Sequence, residues 1–73
     1  MQKHQATYEA FATRAAREVE GKGFNEAIAI HAAISEELEA ALLAEGATPE
    51  LAERLTNLAL CGVDWDRVED VLI

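Results

Sequence analysis

Two histidines, one cysteine and two closely spaced aspartates are the residues whose types could do chemistry, and the neighbours of each decide what chemistry that is. A histidine that binds metal from a helix needs a carboxylate one turn away, as in the Glu-x-x-His arrangement of di-iron bundles. Around His31 those positions hold Ile28, Ile34 and Ser35, so it reads as a helix-interface histidine satisfied by hydrogen bonding, with a pH-sensitive contact as the second reading. His4 stands one turn before Tyr8 near a terminus and reads as solvated. Cys61 has no second cysteine to pair with and no metal-ligand spacing around it, which suits a reducing cytoplasm. A thiol also needs an electropositive setting to be reactive, and Cys61 reads as a small residue at a helix end. Asp64 and Asp66 begin like a calcium loop, but position six holds Glu69 and the chain ends at Ile73 before a twelfth position. Helix capping accounts for Asp64 instead. With no Gly-rich phosphate loop and no Ser/His/Asp set, neither enzyme activity nor a cofactor or metal is expected.

The elements that would position these residues are helices. The spacing predicts an all-α bundle, a single domain over residues 1–73, with helices at about 2–20, 25–45, 49–61 and 65–72. The first two form an antiparallel hairpin across Gly21-Lys22-Gly23, and two shorter helices follow. The long second helix carries Ala27, Ile30, Ile34, Leu38, Ala41 and Leu42 along one face, with Asn25 as N-cap, Phe24 folding back on the first turn, and Gly46 after its end. Ile28 and Leu43 point elsewhere, among Ala29, Ala32, Ala33 and Ala40, so this helix is expected to be central and buried against several neighbours. Tyr8, Phe11, Ala12, Ala15 and Val19 form the stripe of the first helix. Thr48 caps the third helix, Pro49 opens it, and Leu51, Leu55, Leu58 and Ala59 face inward. Gly62 terminates it, and Trp65, Val68, Val71 and Leu72 make the apolar side of the fourth.

Charge narrows the partners. Residues 1–23 hold four basic and three acidic groups and residues 24–73 hold two basic and eleven acidic, so the net charge of −8 resides in the second part. Nucleic-acid binding is driven by Lys and Arg neutralising phosphates, so the balance argues against direct DNA or RNA contact and against anionic membranes. It favours another protein with a basic surface. The expected contacts are Glu36, Glu37, Glu39, Glu50, Glu53, Leu60, Asp64, Asp66, Glu69 and Asp70. A chain this short has little core, and a homodimer is expected to supplement it through Ile28, Ala32, Leu43 and Leu60.

The helices joined by Cys61-Gly62-Val63 invite comparison with helix-turn-helix DNA binders, but a recognition helix reading DWDRVEDVLI would set four carboxylates against phosphates. The same segment resembles a ubiquitin-associated domain in its two short helices, glycine-containing turn and terminal apolar pair. Cys61-Gly62-Val63 replaces that family's Met-Gly-Phe turn, and its function is not carried over. In size and charge the chain is similar to small acidic proteins encoded by phages and mobile elements, such as anti-CRISPR and anti-activator proteins. The expected role is an acidic protein-interaction module that masks a basic or regulatory surface. The alternatives are a nucleic-acid regulator using Lys3, Arg14, Arg17 and Lys22, and a structural assembly subunit.

Overall fold

The computed structural model describes residues 3–72; Met1, Gln2, Ile73 and the side chain of Leu72 lie outside the described residues. It contains helices α1 (Gln5–Val19), α2 (Phe24–Ala44), α3 (Pro49–Leu60) and α4 (Trp65–Leu72), and no strand among the described residues. The all-α architecture expected from the spacing is therefore present. α1 starts at Gln5, after a turn at Lys3 and His4, later than the start expected at about residue 2, and Gln2 itself and the contribution of Leu72 to the core lie outside the described residues.

Local chemistry accounts for the helix ends. At the end of α2 the Gly46 N–H reaches the Leu43 carbonyl at 3.0 Å and the Ala47 N–H reaches the Leu42 carbonyl at 3.0 Å. At the end of α3 the Gly62 N–H bonds Ala59 O and the Val63 N–H bonds Leu58 O, both at 3.1 Å. These paired bonds satisfy carbonyls that a helix end otherwise strands, and they require a left-handed residue, supplied by Gly46 at φ 96° and Gly62 at φ 77°. Thr48 caps α3 as expected, its hydroxyl oxygen accepting from the Leu51 N–H at 3.1 Å, with Pro49 in the first turn.

The start of α2 corrects the sequence reading. Gly23, extended at φ −71° and ψ 169°, is the N-cap, and its carbonyl takes the Ala27 N–H at 2.9 Å, so Asn25 lies inside the helix. Phe24 is therefore the first helical residue and is 80% exposed, because helical geometry turns its side chain outward where a preceding residue would have folded back.

α1, α2 and α3 pack against one another pairwise, and α4 packs on α1. His4 at the start of α1 meets Glu45 at the end of α2, and Arg14 meets Glu37, so the hairpin is antiparallel. The core joins Tyr8, Leu38, Leu42, Ala47, Ala52, Leu55, Ala59, Trp65 and Val68, with Phe11, Ala12, Leu51, Leu58 and Val63 packed at its margin. Each large aliphatic side chain taken fully out of water contributes roughly 1.5–3 kcal/mol before entropy is counted. The inward face of α3 is turned from the expected one: Ala52, Leu55, Thr56 and Ala59 are buried, whereas Leu51 and Leu58 are half-buried. On α4, Trp65 and Val68 are buried, but Val71 is 49% exposed and does not belong to the covered side.

The floor of the core is polar at one point. The Tyr8 Oη donates to the Val63 carbonyl at 2.6 Å, and its ring meets Trp65 edge-on at 5.2 Å between centroids. This aromatic pair fastens α1 to the turn between α3 and α4. Burial, then the nearby Asp64 carboxylate and Cys61, push the Tyr8 phenol up to about 12.

Candidate functional site

A helix with 3.6 residues per turn cannot turn every apolar side chain inward, and α2 has more of them than its neighbours cover. Ile34, Leu38 and Leu42 are buried, and Ala27, Ile30 and Ala41 are half-buried beside them. On the far side Ala29, Ala32, Ala33, Glu36, Ala40 and Leu43 are all exposed, with Ile28 at the edge of the same face. Ile28 is 52% exposed and Leu43 46%, which makes them, with Phe24, the large apolar groups that α2 presents to water. The expectation that α2 is central and covered by several neighbours is corrected: α1 and α3 cover one side, and no element of the described chain lies over the other.

Electrostatics give that face one sign. α2 contains Glu26, Glu36, Glu37 and Glu39 and neither Lys nor Arg. Arg14 of α1 reaches across to Glu37 at 2.8 Å while holding Glu18 at 2.6 Å. The hydrogen bonds from Arg14 to these two carboxylates, Glu37 first, raise the pKa of the guanidinium further. The same ring of partners sets Arg14 over Phe11 at 5.7 Å. One of the four cations proposed for a phosphate-binding surface is thus already engaged. Glu26, Glu36 and Glu39 have no ion-pair partner among the described residues.

The other expected contact residues are spread over α3 and the α4 segment. Glu50 and Glu53 are exposed on α3, and Asp64, Asp66, Glu69 and Asp70 are exposed at and along α4. Glu39 is half-buried, not fully solvated, and Leu60 on α3 is half-buried as well. Of the residues expected at a homodimer contact, Ile28, Ala32 and Leu43 share the outer side of α2, while Leu60 belongs to another helix.

Three residues with reactive or titratable groups are placed as follows. Cys61 is exposed and forms the C-cap of α3. His31 is half-buried on α2 and no described side chain hydrogen-bonds its ring, contrary to the satisfied interface histidine expected. His4 is the larger correction: it is 8% exposed, not solvated, and its Nδ1 donates to Glu45 Oε1 at 2.9 Å. Thr7 Oγ1 donates to the other oxygen of the same carboxylate. An ionised carboxylate only accepts, which makes the imidazole nitrogen facing it the protonated one. No local pattern announces this latch, because its partners are 41 and 38 residues apart in sequence.

The latch carries a pH dependence. The hydrogen bonds from His4 and then Thr7, aided by the His4 and Lys3 charges and opposed by desolvation, hold the Glu45 carboxyl below its ordinary 4.5. The lowered value means the stabilisation is fully present above pH 4.5 and is lost as pH falls through the folded-state pKa. Because the carboxylate is partly solvated, its size is about 0.2–1 kcal/mol. Glu45→Gln is expected to flatten that part of the acid limb in denaturant titrations taken from neutral to acid pH. Identical acid limbs for the two proteins would show that the latch carries no stability.

A groove of about 290 Å³ opens between α1 and the α3–α4 turn, lined by Tyr8, Glu9, Ala12, Thr13, Ala16 and the Gly62–Trp65 backbone and side chains. No group of three or more His, Cys, Asp or Glu side chains is placed to hold a metal ion among the described residues. No helix among them is long and apolar enough to cross a membrane. Compared with known proteins, the chain matches no protein family, no curated protein and no solved structure.

Proposed function

We propose that this chain is a protein-interaction module that binds another protein through the outer face of α2 and masks a basic or regulatory surface of that partner. The observation that carries the reading is the combination on one helix of exposed Ile28 and Leu43 with carboxylates only. An exposed apolar face rimmed by polar groups of one sign is the usual mark of a contact surface. In size and charge the chain is similar to small acidic inhibitors of the kind phages and mobile elements encode, of the anti-CRISPR or anti-activator type, and that is the role proposed for it. The lone thiol of Cys61 suits such a role in a reducing cytoplasm.

The test is affinity capture in the native host with the wild-type chain beside an Ile28→Asp, Leu43→Asp double variant. One dedicated partner is expected with the wild type, and its recovery should fall about ten-fold or more with the variant. Both proteins should give the same helical circular dichroism, since both positions are exposed. Capture of nothing by either chain would sink the reading. DNA binding at low salt that disappears on Arg14→Ala and Arg17→Ala would replace it with the regulator.

A further inference from the structure

We infer that the partner element seated on α2 is a single amphipathic helix whose apolar ridge is flanked by lysines and arginines. The inference rests on the protein-binding reading above and names the shape and charge of what is bound. The 21 residues of α2 span roughly 31 Å, long enough to seat a helix of similar length along its axis. Between Ile28 and Leu43 the outer face offers Ala29, Ala32, Ala33 and Ala40, all exposed. Methyl side chains let a second helix approach toward the short end of the 8–10 Å interaxial range, and the two larger side chains mark the ends of the contact. A second helix matches this surface because its side chains repeat with the same period.

Charge selects the occupant. Burying the face draws Glu36, which lies within it, and the flanking Glu39 away from water, and neither has a cation beside it among the described residues. A carboxylate removed from water without a partner is strongly disfavoured, so the incoming helix must bring the cations. A second copy of this chain would not bring them from α2. Two α2 helices together contribute eight glutamates and no lysine or arginine, four from each copy, on chains that each carry −8. Like-charge alignment of that kind is what interfaces use to reject a wrong partner. The observations therefore favour a basic helix over self-pairing.

Two labelled synthetic peptides of about 20 residues test this, with an identical Ala/Leu ridge and either Lys/Arg or Glu on the flanks. Fluorescence anisotropy should show the basic peptide binding at least about ten-fold more tightly than the acidic one, with affinity falling as salt rises. Ile28→Asp with Leu43→Asp should weaken that binding by about ten-fold or more, and Glu36→Gln with Glu39→Gln by several-fold. Asp66→Asn with Asp70→Asn on α4 should leave it nearly unchanged. Equal binding of both peptides, binding of neither, or an equal loss from the α4 variant would overturn the inference. Sedimentation equilibrium showing a wild-type dimer that Ile28→Asp with Leu43→Asp dissociates would also overturn it, by making a second copy the occupant. Host capture separates the two proposals: a partner whose recovery falls with the α2 double variant, while neither peptide binds, leaves the protein-binding reading standing and removes the basic helix as its occupant. Failure of both capture and peptide binding removes both.

Discussion

Replacing Tyr8 by alanine is expected to remove most of the folded population in dilute buffer. The side chain is 1% exposed, packs edge-on against Trp65, and donates to the Val63 carbonyl, a residue 55 positions away. Truncating a buried aromatic to alanine costs about 3–5 kcal/mol through lost transfer energy and the cavity left behind. Stranding the Val63 carbonyl adds about 1–3 kcal/mol if water does not reach it. A chain of 73 residues has a total stability of roughly 4–11 kcal/mol, so one substitution of this size consumes most of it. Two buried polar atoms, Thr56 Oγ1 and Trp65 Nε1, have no hydrogen-bond partner among the described residues, a number ordinary for a native domain. Denaturant titration followed by far-ultraviolet circular dichroism measures the loss. Tyr8→Phe separates the contributions: it keeps the aromatic contact, removes the hydrogen bond to the Val63 carbonyl, and should cost about 1–3 kcal/mol. A Tyr8→Ala protein within about 1 kcal/mol of wild type would show that the aromatic pair does not hold the fourth helix in place. Alkaline absorbance titration gives an independent reading, because a phenol pushed up to about 12 ionises well above a free tyrosine.

The second large effect is expected at Leu55, where glutamate should prevent folding. Leu55 is 1% exposed in the middle of α3, which packs against both α1 and α2. The substituted carboxylate would find no cation in a core formed by Tyr8, Leu38, Leu42 and Ala59 and must either ionise without solvent or remain protonated. Either outcome costs several kcal/mol, comparable to the whole stability of the domain. Leu60→Glu on the same helix should cost less, because that side chain is already half in water. Leu43→Glu on α2, 46% exposed, should leave unfolding within about 0.5 kcal/mol of wild type. Thermal melts of the three variants give the comparison directly. Equal losses for Leu55→Glu and Leu43→Glu would mean that the inner and outer faces have been assigned wrongly.

Legibility followed the range of the interaction. The endings at Gly46 and Gly62 and the capping of α3 by Thr48 involve residues within five positions of one another, and their residue types announce them. The start of α2 was misplaced by a single feature. Asn25 is a good capping residue, but the chain begins its helix from Gly23 with no side-chain cap, a choice that local preference alone does not reveal. His4 looked solvated because nothing near it in sequence explains its burial. Its carboxylate partner is Glu45, brought close only when α1 and α2 lie antiparallel.

The candidate site was legible in its composition and not in its placement. Ile28, Ala32 and Leu43 were separable from the main apolar stripe, and the absence of Lys and Arg from α2 was visible directly. Their exposure was not, since a helix apolar around most of its circumference has several faces that a neighbour could cover. The acidic residues of α3 and α4 could be counted, but whether they join the α2 face or lie apart from it depends on how the helices are arranged.

Residue order alone determined the four helices, the boundaries at Gly46, Thr48 and Gly62, and the excess of carboxylates after residue 23, because each depends on neighbours along the chain or on simple charge. Tertiary packing decided which side of α2 is dry, that α4 lies on α1 through Tyr8 and Trp65, and that His4 is held by Glu45. Those outcomes join groups 38 to 57 residues apart, and the free energy that selects among them exists only once the helices share one core.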